Sequence, residues 1–475
     1  MDKEKQTESL ASKRRAPRVR RRPYPWQRRR RRAFVCFVLV PAVVLGAYTV
    51  WRIRLERAVA AQIEGIRARG YPVSLEELEA WYPRIPDEEN AWTSYRAAFD
   101  AWQGLPAERF ESLLPRKLTP PERDEPYPES ALAVMREYVG MNAETLRLLH
   151  EAAAVPRCRF PVDLSEGWEA RLPHLESIRK AEQLLRFEAE VALNAGDTGR
   201  IVRALADLLA LGRSLGAEPV FTSQEVRINS IDTVRHSLER VLSRVSLSEA
   251  ALVELEVAIA AAACPEAALR TVLGEFCVGI PQFSDGTYPR VNATALYRQL
   301  LRGGGQAGPW LLDALSGGRI DLGYFLEVYD GTLEAAGLPR HEGMQALRNL
   351  QHGRRKGNPR RWAVRTYGLT WRVMGVLDRA ARGEAALRTV RTGLAIERYH
   401  AKTGGWPGVL NDLTPAFLDA VPVDPYNGEA LLYHSLETGY VVYSVATNGR
   451  DDGGEELPGN TQSWRQSDLA FKVER

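Results

Sequence analysis

Cysteine and histidine are scarce in this chain of 475 residues, and neither forms a recognisable motif. Four cysteines cannot supply a disulfide framework for a chain of this length. Cys36 falls in an apolar run, and the other three leave two alternatives: a bridge between Cys264 and Cys277, or three buried free thiols. The seven histidines include no His-Glu-x-x-His motif or close pair, so the sequence predicts no zinc site.

Negative charge is nearly missing from residues 1–32, which carry 14 Lys and Arg residues against 3 Asp and Glu residues. Their net charge is +11, whereas residues 33–475 sum to −7. The composition of the whole chain, 45% hydrophobic and 26% charged, is typical of a globular protein. It excludes a collagen-like or mostly disordered chain, and the length predicts two to four domains.

A single long uncharged run occupies residues 33–51. As a helix it would be roughly 28 Å long, which is close to the thickness of a bilayer's hydrocarbon core. Arg28 to Arg32 precede the run, and Tyr48 and Trp51 lie near its other end. Because arginine clusters stay on the cytoplasmic side, the sequence predicts one transmembrane helix in the inner (cytoplasmic) membrane. The N-terminus is then cytoplasmic, and residues 52–475 are extracytoplasmic.

The alternative to an anchor is a cleaved signal, because Arg31, Arg32 and Phe34 resemble part of a twin-arginine export signal. The apolar run is longer than the usual core of a signal peptide, which favours an uncleaved anchor. Residues 1–32 are expected to form a disordered basic tail in the cytoplasm. We expect its arginines to attract anionic lipids of the bilayer, and we predict no nucleic-acid partner.

Helical periodicity dominates residues 52–380, which we predict to be an extracytoplasmic helical region. Ser74 and Glu77 form a capping box, and Gly196 followed by Asp197 predicts the end of one helix and the start of the next. Further helices are predicted near 224–245, 248–262, 320–336 and 342–351.

Residues 381–475 change character. A helix over 384–402 precedes a turn at Pro422–Pro425 and strand signals at 431–434, 440–445 and 469–473. The sequence therefore predicts a small α+β module with an antiparallel sheet.

This module resembles the globular domain of the major pseudopilin of type II secretion. The matching residues are Tyr399, Gly404 or Gly405, Pro407, the pair Leu410 and Leu413, the turn Pro422-Val423-Asp424-Pro425, and Asn448-Gly449. The resemblance covers about 90 of the 475 residues. It implies a helix packed on a small sheet and a loop that can hold calcium. The Gly-Phe processing site and following Glu of that family are missing from residues 30–40, so we do not expect processing and polymerisation as a pseudopilin.

The loop between the last two strand signals is acidic, and we predict calcium ligands at Asn448, Asp451, Asp452 and Asp468. A divalent cation would relieve the repulsion between these carboxylates. The alternative is a solvated acidic loop that is screened by salt and by Arg450 and Arg465.

The sequence as a whole predicts a mainly α protein with a single transmembrane helix, a helical bundle and the pseudopilin-like module. No catalytic constellation emerges: Gly212-Arg213-Ser214-Leu215-Gly216 fits a nucleophile elbow, but the preceding residues are helical rather than a strand. We therefore expect a non-enzymatic envelope protein that docks an unknown protein partner in secretion or surface assembly. The alternative is an envelope hydrolase whose carboxylates are brought together only by the fold.

Overall fold

The computed structural model describes residues 25–106, 108–109, 121–284, 318–355, 364–455 and 467–475. Residues 1–24 of the expected disordered tail lie outside these ranges, and so does Arg465 of the acidic loop. Residues 25–32, which were expected to be disordered as well, are helical. The chain divides into two units, residues 1–57 and residues 58–475.

The first unit is helical throughout its described part. Helix α1 (Pro25–Phe34) continues through a π-helical turn (Val35–Leu39) into helix α2 (Val40–Ala68), whose later residues belong to the second unit. The π turn ends at Leu39, two residues before Pro41, which has no N–H group for the regular helical bond. The N–H of Val40 instead bonds the carbonyl of Val35, five residues back. A local π turn is an established way of accommodating proline in such a helix.

Helical residues Phe37–Ala68 are long and apolar enough to cross a membrane. The large side chains of the apolar run, such as Phe37, Val43 and Leu45, are exposed rather than packed in a core. The prediction of a helix with membrane-spanning character is therefore confirmed in length and composition.

The second unit is mostly helical. After α2 its helices are, in chain order, α3 (Leu75–Trp81), α4 (Trp92–Ala101), α5 (Glu129–Met141), α6 (Ala143–Ala153), α7 (Pro173–Ala195), α8 (Thr198–Arg213), α9 (Phe221–Arg244), α10 (Glu249–Ala262), α11 (Ala267–Gly279), α12 (Pro281–Ser284), α13 (Arg319–Gly337), α14 (Arg340–Arg355) and α15 (Val364–Thr403). Within the described ranges, three short 3₁₀ segments cover Asp87–Glu89, Leu164–Glu169 and Leu410–Leu413.

The predicted helix boundaries are confirmed where cap residues were present. Gly196 adopts φ 72°, the left-handed conformation that ends α7. The side chain of Asp197 then accepts a hydrogen bond from the N–H of Arg200 and starts α8. Ser74 likewise accepts from the N–H of Glu77 at the start of α3.

The remaining predicted element is a three-stranded antiparallel sheet in the order β1 (Leu432–Ser435), β2 (Gly439–Ser444) and β3 (Leu469–Glu474). The register pairs Tyr433 with Val442 and Val442 with Phe471. These strands confirm the small antiparallel sheet. Helix α15 runs without a break through residues 380 and 381, where the sequence placed the start of the module.

The sheet packs closely on α15 because Gly393 leaves room for an aromatic ring. A Cβ atom at Gly393 would lie 2.2 Å from a ring carbon of Phe471. Phe471, Tyr440 and Leu394 are all buried in the same apolar core as the helices of the second unit.

The three cysteines of the second unit, Cys158, Cys264 and Cys277, are free. The alternative of a Cys264–Cys277 bridge is therefore wrong. Cys277 is buried and its Sγ lies 3.4 Å from the carbonyl oxygen of Pro72, whereas Cys264 packs beside Gly216. The two thiols therefore contact different parts of the chain. Free cysteine in such positions behaves as a small buried apolar residue.

Candidate functional site

The Pro-x-Asp-Pro turn of the C-terminal module is fixed by the carboxylate of Asp424, which is 1% exposed. This carboxylate accepts hydrogen bonds from the N–H of Tyr426 at 2.9 Å, the Oγ–H of Ser444 at 2.9 Å and the N–H of Val445 at 2.8 Å. A buried carboxylate is tolerated when its oxygens are satisfied in this way. Asp424 thus ties the turn to the end of β2, where the acidic loop begins.

The outer edge of β3 is closed by side chains of α9. Arg235 donates to the carbonyl of Ala470. The carboxylate of Glu239 accepts from the N–H of Lys472 at 3.1 Å, and the Oγ of Ser243 accepts from the N–H of Glu474 at 3.1 Å. Because these contacts use backbone groups that would pair with another strand, no strand can add at this edge without displacing α9.

The opposite edge of the sheet is β1, which pairs within the described sheet with β2 alone. His434 and Ser435 are exposed there. One edge of the sheet, at β3, is therefore closed by a helix. At the other edge no further strand of the described sheet pairs with β1.

A hydrogen-bonded chain links β1 to the acidic loop. The hydroxyl of Tyr443 lies 2.8 Å from Nε2 of His434 and donates to Oδ1 of Asp451 at 3.0 Å. Burial raises the pKa of the Tyr443 hydroxyl, and the hydrogen bond to the Asp451 carboxylate raises it further. Tyr443 therefore stays neutral and acts as a hydrogen-bond donor at ordinary pH.

The predicted calcium ligands are gathered in one loop. Asn448 donates to Oδ2 of Asp452 at 2.7 Å, and its amide oxygen accepts from the N–H of Arg450 at 2.9 Å. Asp451 accepts from the N–H of Gly453 at 2.9 Å. Oδ2 of Asp468 accepts from the N–H groups of Asp452 and Gly454, both at 2.9 Å. The structure thus brings together residues from both ends of the loop.

Asp468 is the exceptional carboxylate of this group. It is 5% exposed, and its Oδ1 atom is buried without a hydrogen-bond partner among the described residues. Burial raises the pKa of Asp468, two backbone N–H groups oppose that shift, and the carboxylates of Asp452 and Asp451 raise the pKa again. A cation beside Oδ1 would offset both the cost of burying the negative charge of Asp468 and its repulsion by Asp451 and Asp452. Among the described residues, no group of three or more His, Cys, Asp or Glu side chains lies close enough together to hold a metal ion.

Two clefts elsewhere in the second unit bear on the hydrolase alternative. One contains Glu275, which is paired with Arg372 at 3.1 Å, and the other contains Glu225, which is paired with Arg379 at 2.6 Å. Each of these two clefts holds one carboxylate rather than the pair that general acid and base catalysis would use.

The structure also joins ionisable residues that the sequence left scattered. His174 lies 3.1 Å from the carboxylate of Glu218, which also accepts from Ser223. His150 contacts Asp207. His174 and Glu218 are buried, and the sequence holds no signal that pairs them because 44 residues separate them.

Comparison with protein-family models, with curated proteins and with solved structures found no match to this chain. The likeness of residues 381–475 to the major pseudopilin accordingly stays a prediction from sequence motifs.

Proposed function

We propose that this chain is a single-pass, membrane-anchored envelope protein without enzymatic activity, which docks a protein partner through its C-terminal module. The apolar helix holds the chain in the inner membrane, and the N-terminal arginines face the cytoplasm and anionic lipids. The helical region and the module lie on the extracytoplasmic side. The pseudopilin-like motifs support a role in secretion or surface assembly.

The single observation that carries the docking role is the difference between the two edges of the sheet. The β3 edge is closed by Arg235, Glu239 and Ser243, whereas β1 pairs on one side only within the described sheet. An open edge accepts an extended segment of another protein through backbone hydrogen bonds. We therefore infer that the partner adds a strand beside β1.

Site-specific photo-crosslinking in intact cells tests this role. A photoreactive phenylalanine analogue at Ser435, exposed on β1, should give a discrete crosslinked product. The same analogue at Glu254, exposed on α10, is the matched control. If the two positions give the same products, or Ser435 gives none, the β1 edge is not the docking site.

Calcium is the second part of the proposal. We infer that a calcium ion binds at Asp468 with Asp451, Asp452 and Asn448 supplying further oxygens after side-chain rearrangement. Its support is the unpartnered Oδ1 atom of Asp468 and the raised pKa of that carboxyl.

Thermal unfolding of the full chain in a non-ionic detergent tests the calcium site. Millimolar calcium should raise Tm, and equal magnesium should raise it less. Asp468→Asn should abolish the calcium response, whereas Glu437→Gln, an exposed carboxylate in the β1–β2 turn, should keep it. A wild-type Tm that does not change with calcium rules out the metal and leaves the docking role untouched.

A further inference from the structure

His150 on α6 contacts a carboxylate with each of its two ring nitrogens. Nδ1 is hydrogen-bonded to Oδ2 of Asp207 on α8, and Nε2 lies 3.8 Å from Oε2 of Glu188 on α7. Leu146 and Leu149 of the same helix are buried in the apolar core. A single imidazole ring therefore joins α6 to both helices of the α7–α8 pair.

Both carboxylates are withdrawn from water, since Glu188 is 3% exposed and Asp207 is 9% exposed. Oε1 of Glu188 accepts from Nε of Arg200 at 2.9 Å. Oε2, the atom that contacts His150, is buried without a hydrogen-bond partner among the described residues. Buried anionic oxygens are unfavourable unless donors or positive charge reach them. A positive charge on His150 therefore stabilises both carboxylates.

The protonation state of His150 decides what Glu188 meets. The imidazolium donates from both nitrogens, whereas the neutral ring donates from one and carries a lone pair on the other. When the neutral ring keeps its hydrogen bond to Asp207, the lone pair on Nε2 is turned toward Oε2 of Glu188. Loss of one proton thus replaces attraction between α6 and α7 by repulsion and leaves the bond between α6 and α8 in place.

Two features of the fold favour the imidazolium. His150 lies in the last turn of α6, where the helix dipole stabilises positive charge. Burial by itself lowers the pKa of His150, but the hydrogen bond and charge of Asp207 and the charge of Glu188 outweigh it, so this pKa lies above 6.5. The charge of Arg203, exposed on α8, opposes that rise.

The other charged and titratable groups around His150 do not change charge near neutral pH. Arg213 on α8 donates to a backbone carbonyl at the end of α6 at 3.3 Å. Burial raises the pKa of Tyr95 on α4, so its hydroxyl stays neutral. Arg147 and Glu151 on α6 pair with each other at the surface. The charge that changes among these groups is therefore that of His150.

We propose that His150 is a pH-operated clamp, in which the imidazolium holds α6 against Asp207 of α8 and Glu188 of α7 and loss of its proton at alkaline pH loosens α6. None of these residues belongs to the sheet or to the acidic loop, so the clamp does not depend on the docking or calcium proposals.

The sign follows from linkage. A histidine whose pKa is raised on folding contributes stability that is fully present below pH 6.5 and is lost as pH rises through the folded-state value. The contact between α6 and its neighbours is therefore strongest in mildly acidic solution and weakest in alkaline solution.

Hydrogen exchange of the α6 amides in the full chain in non-ionic detergent tests the clamp. Wild type and His150→Gln are compared at pH 5.5 and pH 9, with correction for the intrinsic pH dependence of exchange. At pH 5.5 the opening equilibrium of α6 should be about fivefold larger in His150→Gln, which donates without charge. At pH 9 the two proteins should agree. Comparing them at each pH cancels other groups that titrate in this range, such as Glu182.

The matched control is His341→Gln, because His341 meets Glu342 at 3.9 Å at the surface. Exchange of α6 in this variant should match wild type at both pH values. Equal opening in wild type and His150→Gln at pH 5.5 would overturn the proposal, as would the same excess at both pH values. If His150→Gln does not fold, Asp207→Asn decides: its excess opening should be smaller at pH 9 than at pH 5.5, and an equal excess refutes the clamp.

Discussion

Replacing Glu182 by glutamine should stabilise the protein at alkaline pH and leave its stability nearly unchanged at acid pH. Glu182 lies on α7, is 9% exposed, and accepts a hydrogen bond from Ser230. Burial raises the pKa of Glu182 from 4.5 to about 7, against the smaller opposing effects of Ser230 and Arg179. The neutral carboxylic acid is therefore the form that the folded protein prefers.

The sign follows from linkage. A carboxyl whose pKa is higher in the folded state contributes stability that is fully present below pH 4.5 and is lost as pH rises through about 7. A change of this size corresponds to about 3 kcal/mol. For a unit of roughly 400 residues, that is a difference in Tm of about 3–4 °C.

The assay is thermal unfolding of the full chain in detergent at pH 4.5 and pH 8, followed by intrinsic tryptophan fluorescence. Glu182→Gln keeps the hydrogen-bond acceptor for Ser230 but cannot ionise. It should unfold about 3–4 °C above wild type at pH 8 and within error of it at pH 4.5. Glu254→Gln, which removes an exposed carboxylate on α10, should show no such gain.

The reasoning is wrong if Glu182→Gln gains nothing at pH 8. It is equally wrong if the gain is the same at both pH values, because a pH-independent gain would come from packing rather than from the buried charge.

Three further changes probe how the module is held. Arg235→Met removes the donor to Ala470 and one of the two arginine partners of the buried Glu239, which keeps Arg123 at 3.4 Å. Tm should fall by the equivalent of about 1.5–3 kcal/mol, with new self-association visible in light scattering. Gly393→Ala places a Cβ 2.2 Å from the ring of Phe471. It should lower the free energy of unfolding by about 1–3 kcal/mol in chemical denaturation, and an unchanged midpoint would contradict this packing. Asp424→Asn turns its amide hydrogens toward the N–H donors of Tyr426 or Val445. The free energy of unfolding should fall by about 1–3 kcal/mol in the same measurement. No change would show that the turn does not depend on this carboxylate.

Much of the secondary structure could be predicted because its signals are local. The left-handed Gly196 and the capping Asp197 separate α7 from α8 where the sequence placed the break. The strand signals near 440–445 and 469–473 correspond to β2 and β3. Proline, glycine and alternating apolar residues act over a few positions, so their effects can be predicted from the sequence without any tertiary contact.

The candidate site was predictable only in part. The acidic residues Asp451 and Asp452 are adjacent in sequence, and Asp468 was placed with them because strand β3 returns beside β2. Which oxygen of Asp468 lacks a partner, and which N–H groups the other oxygen accepts, depends on the loop's three-dimensional course.

The amino-acid sequence by itself determined the apolar run, the helix caps and the strand pattern, because each rests on neighbouring residues and on backbone bonds made within a few positions. Only the tertiary structure decided that Glu239 meets Lys472 across 233 residues, that Glu182 is buried against Ser230, and that His174 meets Glu218. The physical reason is that desolvation and charge pairing are set by whatever packs nearby, and helices distant in sequence supply those neighbours.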